Sequence, residues 1–216
     1  MESKKFYLIL TAIVVGVIGF ALYTKNNREA AETAANGGAK ISSNYYGKLD
    51  SPVTLTEFVD FQCEACYAYY PMVKEVKELY KDKVKFQIRN FPITSGHKFA
   101  MQAARTAEAA ARQGKFWEMH DLIFENQKSW EQMVDPQPVF DGYAEQIGLD
   151  MTKFKEDFAS GDVASVINQD LKDVKESGGT GTPTFWLNGE RLEKNPQSVE
   201  EFKTLLDEAL KTAGVQ

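Results

Sequence analysis

Cysteine and histidine are scarce in this chain, with two of each in 216 residues. Two cysteines cannot build the disulfide framework of a small secreted scaffold, and a closed zinc or copper site has no third thiolate to draw on. Basic residues are also in the minority, 25 Lys and Arg against 31 Asp and Glu. The first 40 residues hold five basic and three acidic groups, which leaves 20 basic against 28 acidic and a net charge of −8 in the remainder. That balance argues against nucleic acid as a partner, because phosphate binding needs a basic face. Apolar material is plentiful, at 43% hydrophobic and 12% aromatic residues. Spread over roughly 170 residues beyond the N-terminus, it suffices for one domain with its own core.

Residues 6–23 (FYLILTAIVVGVIGFALY) run without a charge, between Lys4 and Lys5 on one side and Lys25 and Arg28 on the other. The run approaches the length that spans a bilayer core. It ends in Phe20-Ala21-Leu22-Tyr23, with no small-x-small cleavage site, so it reads as an uncleaved anchor rather than a removed signal. The basic flanks balance, and the free N-terminal amine and short tail tip the N-terminus toward the cytoplasm. Residues 24–42 (TKNNREAAETAANGGAKIS) are small, polar and aperiodic, which suits a flexible tether. The expected organisation is a cytoplasmic tail over 1–5, a single membrane-spanning helix over 6–23, a linker over 24–42, and a working domain over 43–216 outside the cytoplasm.

Within that domain, residues 53–61 (VTLTEFVDF) are β-branched and aromatic enough for a buried strand. Residues 66–80 place Tyr69, Met72, Val73, Val76 and Leu79 at helical spacing, and residues 84–91 (VKFQIRNF) read as a second strand. Strand, helix and strand with short connections make a βαβ unit with parallel strands and a right-handed crossover. Both cysteines lie at its first junction, as Cys63-Glu64-Ala65-Cys66. Two cysteines placed at random would show this spacing about one time in a hundred. At a helix N-terminus, free N–H groups and the dipole stabilise a thiolate, the form that attacks disulfides. Cys66, one turn later, can close a disulfide with Cys63 and resolve a mixed disulfide formed there. A purely structural bridge is the bland reading, but so small a loop removes little unfolded-state entropy. Of the two histidines left as metal ligands, His97 and His120 each read as a surface or packing residue of its helix.

Further along stand Gly178-Gly179-Thr180-Gly181-Thr182-Pro183-Thr184-Phe185 and then Asn188-Gly189, a two-residue hairpin signal between short apolar runs. Pro183 lacks an N–H and belongs at a strand start or edge. An X-Pro bond there can be cis, which leaves the backbone of Thr182 open to an incoming peptide. Helices are expected over 97–112, 116–127, 138–147, 152–158, 162–177 and 199–209. Trp117, Trp130, Phe124 and Phe140 read as core.

Taken together these residues resemble the DsbA-like thiol:disulfide oxidoreductases, across residues 45–212. The resemblance implies an α/β thioredoxin fold with a βαβ half, a ββα half and a helical insertion over about 95–176. It implies Cys63 as the exposed nucleophile, Cys66 as the buried resolving thiol, and Thr182-Pro183 as the substrate-binding pair that faces them. Glu57, six residues before Cys63, falls where the family has a buried acid that assists proton transfer, with Asp60 as the competitor for that role. Pro71 matches a helix-kinking proline, and residues 114–121 (GKFWEMHD) resemble the insertion. The implied activity is disulfide formation in cysteine-containing extracytoplasmic clients, with a membrane redox partner and no cofactor beyond the Cys63–Cys66 pair. Reduction or isomerisation is the alternative enzyme, and a non-catalytic tethered binding module the alternative of a different class. Between the cysteines the family's oxidases carry Pro-His, whereas this chain has Glu64-Ala65. The Glu64 carboxylate opposes a neighbouring thiolate, so this dipeptide bears on redox tuning.

Overall fold

A computed structural model describes residues 42–215; the expected tail, anchor and nearly all of the linker lie outside the described residues. The sheet has five strands: β1 (Asn44–Gly47), β2 (Thr54–Val59), β3 (Lys85–Asn90), β4 (Thr184–Leu187) and β5 (Glu190–Arg191), in the order β1-β3-β2-β4-β5. β2 and β3 are parallel, joined by helix α1 (Glu64–Tyr80), while β1, β4 and β5 each run antiparallel to their neighbour. The expected βαβ unit is therefore present. Six helices follow β3 before the chain returns to the sheet: α2 (Ala100–Ala111), α3 (Phe116–Glu125), α4 (Gln127–Trp130), α5 (Gln137–Gln146), α6 (Met151–Ala159) and α7 (Gly161–Glu176). A last helix, α8 (Val199–Thr212), packs on α1.

β2 lies at the centre of the sheet, which explains why residues 55–59 are all buried. Leu55 points into a core shared with Val73 and Val76 of α1 and Phe202 and Leu206 of α8. Phe58 points the other way, onto Phe91 and Val174 of α7. Glu57 sits between Leu55 and Val59 on the α1 face and is 5% exposed. The third core, built on Phe61, Met119, Ile123, Phe124, Trp130 and Phe140, joins the helical insertion to the end of the sheet that carries Cys66. Trp117 is half-buried at its margin and donates its indole N–H to the Tyr45 carbonyl at 3.0 Å.

Some elements differ from the sequence reading. No strand is expected before residue 53, yet residues 44–47 pair with β3; a four-residue edge strand is too short to carry a periodic signal. It ends at Gly47, whose φ of +82° and close approach to the Val84 carbonyl exclude a Cβ. The buried face of α1 is rotated from the expected one. Leu79 is 58% exposed, and Lys77 is buried instead, its ammonium 4.3 Å from the ring centres of both Tyr46 and Trp117. Those rings cover the aliphatic stem and attract the charge, so a lysine occupies a core position. α2 starts at Ala100 rather than 97, because His97 is held in the preceding loop by the Asp60 carboxylate. The 116–127 helix ends at Glu125 and a separate turn, α4, follows. At the hairpin, Asn188 and Gly189 both have positive φ, as a type I′ turn requires.

A buried polar network ties the insertion to the sheet. Asp170 of α7, fully buried, accepts from Arg89 Nε at 2.8 Å, from the Asn90 N–H at 2.9 Å and from Ser42. Glu108 of α2 accepts from Ser42, Asn44 and Asn90. Removing one partner of such a buried charge pair costs about 3 to 5 kcal/mol, so the network fixes the docking of α2 and α7 on β3.

Candidate active site

Cys63 is the N-cap residue of α1, with extended φ and ψ and no side-chain cap of its own. Its sulfur lies where the first N–H groups of the helix are unpaired. The loop before it is held by the insertion. Asp60 uses both carboxylate oxygens, one accepting the Gln62 N–H at 2.8 Å, the other the Ile93 N–H and His97 Nδ1 at 2.7 Å each. The Gln62 side-chain oxygen Oε1 accepts the Phe99 N–H at 2.6 Å. Gln127 of α4, fully buried, donates from Nε2 to the Phe61 carbonyl at 2.8 Å and to the Cys63 carbonyl at 3.2 Å.

The two thiols have opposite surroundings. Cys63 is partly exposed, and its pKa is lowered to about 5. A hydrogen bond from the Cys66 thiol is the main cause, helped by the N–H groups of Cys66 and Ala65 against a partial burial that opposes it. The Thr182 hydroxyl is buried and makes no hydrogen bond to any group among the described residues. Cys66 is 1% exposed, and burial pushes its thiol well above the ordinary value, with the neighbouring Cys63 adding to the rise. The Thr182-Pro183 peptide is cis, and the Thr182 carbonyl lies 3.5 Å from Cys63 Sγ.

Glu57 lies beneath Cys66, and the two line one cavity with His120 and Lys77. Burial raises its carboxyl to about 8, and no group among the described residues hydrogen-bonds it. Asp60, the competing acid, is committed to the loop. The Glu64 carboxylate, expected from its position to oppose the thiolate, is 84% exposed and lies 3.4 Å from Lys128 Nζ. Ala65 contributes only its N–H. His97 is paired with Asp60, and His120 is buried with its Nδ1 3.0 Å from Asp121.

A family described as thioredoxin matches residues 40–208. The chain belongs to the thioredoxin family. Among solved structures it is similar to BdbD from Bacillus subtilis, with a TM-score of 0.67 and 24% identity over 80% of this chain and 99% of that one. It is also similar to the thiol-disulfide exchange protein α-DsbA2 from Wolbachia pipientis, with a TM-score of 0.66 and 20% identity over 77% and 86%. At these identities the likeness is one of fold. A Na(+)/H(+) antiporter, NhaA 3 of Salinispora tropica, is 37% identical over 167 residues, covering 77% of this chain and 24% of the antiporter. The chain thus spans less than a quarter of the length of the first curated relatives it matches.

In this thioredoxin-family site, sequence reasoning named the two cysteines, Glu57, Thr182 and Pro183, and the fold brings all five together. It did not find Gln127, a neutral amide more than sixty residues from the loop it clamps, for which no spacing signal exists. Nor did it assign the pairing of His120 with Asp121, although the run that carries them had been singled out.

The raised Glu57 pKa makes stability depend on pH. A carboxyl at about 4.5 in the unfolded chain and about 8 in the fold holds more protons when folded, so it destabilises increasingly as pH rises through that interval. Glu57→Gln is therefore expected to be near neutral at pH 4.5 and to stabilise the reduced protein by roughly 2 to 4 kcal/mol above pH 8. Urea unfolding across pH 4 to 9 checks this, and a difference independent of pH would contradict it.

Proposed function

We propose that this thioredoxin-family protein is a thiol:disulfide oxidoreductase that exchanges disulfides with cysteine-containing client proteins outside the cytoplasm, chiefly as a disulfide donor. The observation that carries this reading is the unequal placement of two sulfurs one helical turn apart, Cys63 partly exposed at the α1 N-terminus and Cys66 buried behind it. A client thiolate attacks Cys63 Sγ of the oxidised pair. The Cys63–Cys66 bond breaks, its electron pair goes to Cys66, and a proton joins that sulfur because burial disfavours its thiolate. A second client thiolate then attacks the client sulfur of the mixed disulfide. The client disulfide forms and Cys63 departs as a thiolate, a good leaving group because its pKa is low. A redox partner in the membrane removes the two electrons and restores the pair, so no further cofactor is needed.

The donor direction follows from the same asymmetry. A low Cys63 pKa stabilises the reduced pair, and a stabilised reduced form is what makes an oxidant. Thr182 and Pro183 serve the client's main chain: neither the Cys63 thiolate nor a mixed disulfide at Cys63 can donate a hydrogen bond, so the Thr182 carbonyl is free to accept a client N–H. The uncharged run over 6–23 holds the domain at the outer face of the membrane, where thiols are not kept reduced by the cytoplasmic glutathione and thioredoxin systems.

Cys66→Ser is expected to accumulate mixed disulfides with clients at least about tenfold over Cys63→Ser, read by non-reducing electrophoresis. Equal trapping by the two variants contradicts the roles, and binding that neither variant disturbs indicates a non-catalytic module. Fractionation is expected to leave the full chain with the membrane, its domain digested by protease added outside. A soluble product beginning near residues 25–40, or a domain protected until the membrane is opened, contradicts the anchor or its orientation.

A further inference from the structure

The cavity behind Cys66 contains a histidine that the exchange chemistry above leaves unused. It is narrow, wide enough for about one water molecule. Glu57 and Cys66 line its buried end, and Asp121 and Lys74, whose side chains are 26% and 41% exposed, line its outer end. His120 stands between them, 5% exposed.

An imidazole is an unexpected occupant of this position. The rings of Phe61, Tyr70, Phe116, Trp117 and Phe124 all have centres between 5.0 and 5.8 Å from its own. Packing alone would favour another apolar ring there. The polar atoms give the reason for a histidine. Asp121 is ionised, its carboxyl held down at about 2 mainly by the bond to His120 despite partial burial, so it can only accept. His120 Nδ1, 3.0 Å from Asp121 Oδ1, therefore carries the hydrogen. Burial keeps the ring neutral, which leaves Nε2 an acceptor. Neither His120 Nε2 nor the Glu57 carboxyl hydrogen-bonds any group among the described residues, and the two residues line the same one-water-wide space.

We propose that His120, oriented by Asp121, takes up and returns the proton that Glu57 exchanges with Cys66, and so links that buried thiol to solvent. This deepens the exchange reading and rests on it. When the pair is reoxidised, Cys66 Sγ attacks the mixed disulfide at Cys63, and the protonated Glu57 gives up its own proton toward His120 as it takes the Cys66 proton in its place. That proton moves through one water to His120 Nε2, and the imidazolium releases its Nδ1 proton to solvent past Asp121, which leaves the Nε2–H form until the next reduction reverses the transfer. When the pair is next reduced a proton enters by the same route, one in and one out per cycle. The groups that face His120 suit a carrier rather than a store. Asp121 of α3 favours the imidazolium, Lys74 and Lys77 of α1 oppose it, and Tyr70 of α1 and Glu57 of β2 are neutral at pH 7.

The test follows single-turnover oxidation of the reduced full-length protein by oxidised glutathione. Attack of Cys63 on glutathione disulfide is second order, and resolution by Cys66 is first order. In His120→Phe the first-order step is expected to slow about tenfold at pH 7. The alkylation rate of Cys63 by iodoacetamide should stay within twofold of wild type. His120→Gln, which keeps a polar group but cannot carry a proton, should behave like His120→Phe. Wild-type resolution rates across pH 6 to 9 in both variants would overturn the proposal. A wild-type protein that never forms the Cys63 mixed disulfide would instead overturn the exchange reading itself. Imidazole ¹⁵N resonances of the reduced wild-type protein give an independent check free of substitutions: the proposal requires the Nδ1–H form of His120 there, and the Nε2–H form contradicts it.

Discussion

The whole site depends on a difference in solvation maintained across one turn of α1. At Cys63 the chain offers a sulfur to water and to the free N–H groups of a helix start; at Cys66 it withdraws an identical sulfur into an apolar core. Each placement reinforces the other. The buried thiol is kept protonated, and a protonated neighbour is a hydrogen-bond donor to the exposed thiolate. A charged site between two equally exposed thiols would have neither the donor nor the distinct roles.

That difference survives only if the loop ahead of Cys63 holds its shape, and the restraint comes from outside the sheet. Gln127 fixes two of its carbonyls, Phe99 and Gln62 close its outer side, and Asp60 is pinned by Ile93 and His97. All of these partners lie beyond β3, most of them in or beside the helical insertion. The insertion is itself fastened to β3 through Arg89, Asn90, Glu108 and Asp170. The helices between the two halves of the fold thus act on the chemistry by holding backbone, with Trp117, His120, Asp121 and Phe124 the side chains of that layer that line the cavity behind Cys66.

Elements with a strong local pattern were legible in the sequence. β2 and β3 carry β-branched and aromatic residues in short runs, the cysteines announce themselves by spacing at a strand-to-helix junction, and Asn188-Gly189 specifies its hairpin. The burial of Glu57 was legible for the same reason as β2, since a single acid in so apolar a strand has nowhere polar to turn. What was not legible depends on tertiary partners. β1 is too short to have a period, Lys77 replaces Leu79 in the core only because Tyr46 and Trp117 are there to cover it, and Gln127 acts across a distance in sequence that no motif spans. Glu64 was correctly placed beside the thiolate, but its effect could not be judged without Lys128, which lies 64 residues away in sequence.

The central claim is that the fold stabilises the Cys63 thiolate, and the most direct measurement is the stability of the reduced and oxidised proteins compared across pH, with thiolate absorbance followed in the reduced form. The Cys63 pKa falls from about 9 in the unfolded chain to about 5 in the fold, so the unfolded state binds the extra proton between those values. The stabilisation is complete above pH 9 and is lost as pH falls through 5. Glu57 acts on both redox forms and largely cancels in their difference. The account predicts a reduced form more stable than the oxidised one at pH 7, with a gap that narrows toward pH 5 and an absorbance transition near that value. An oxidised form more stable at every pH, with Cys63 titrating near the ordinary thiol value of about 8.5, would contradict it.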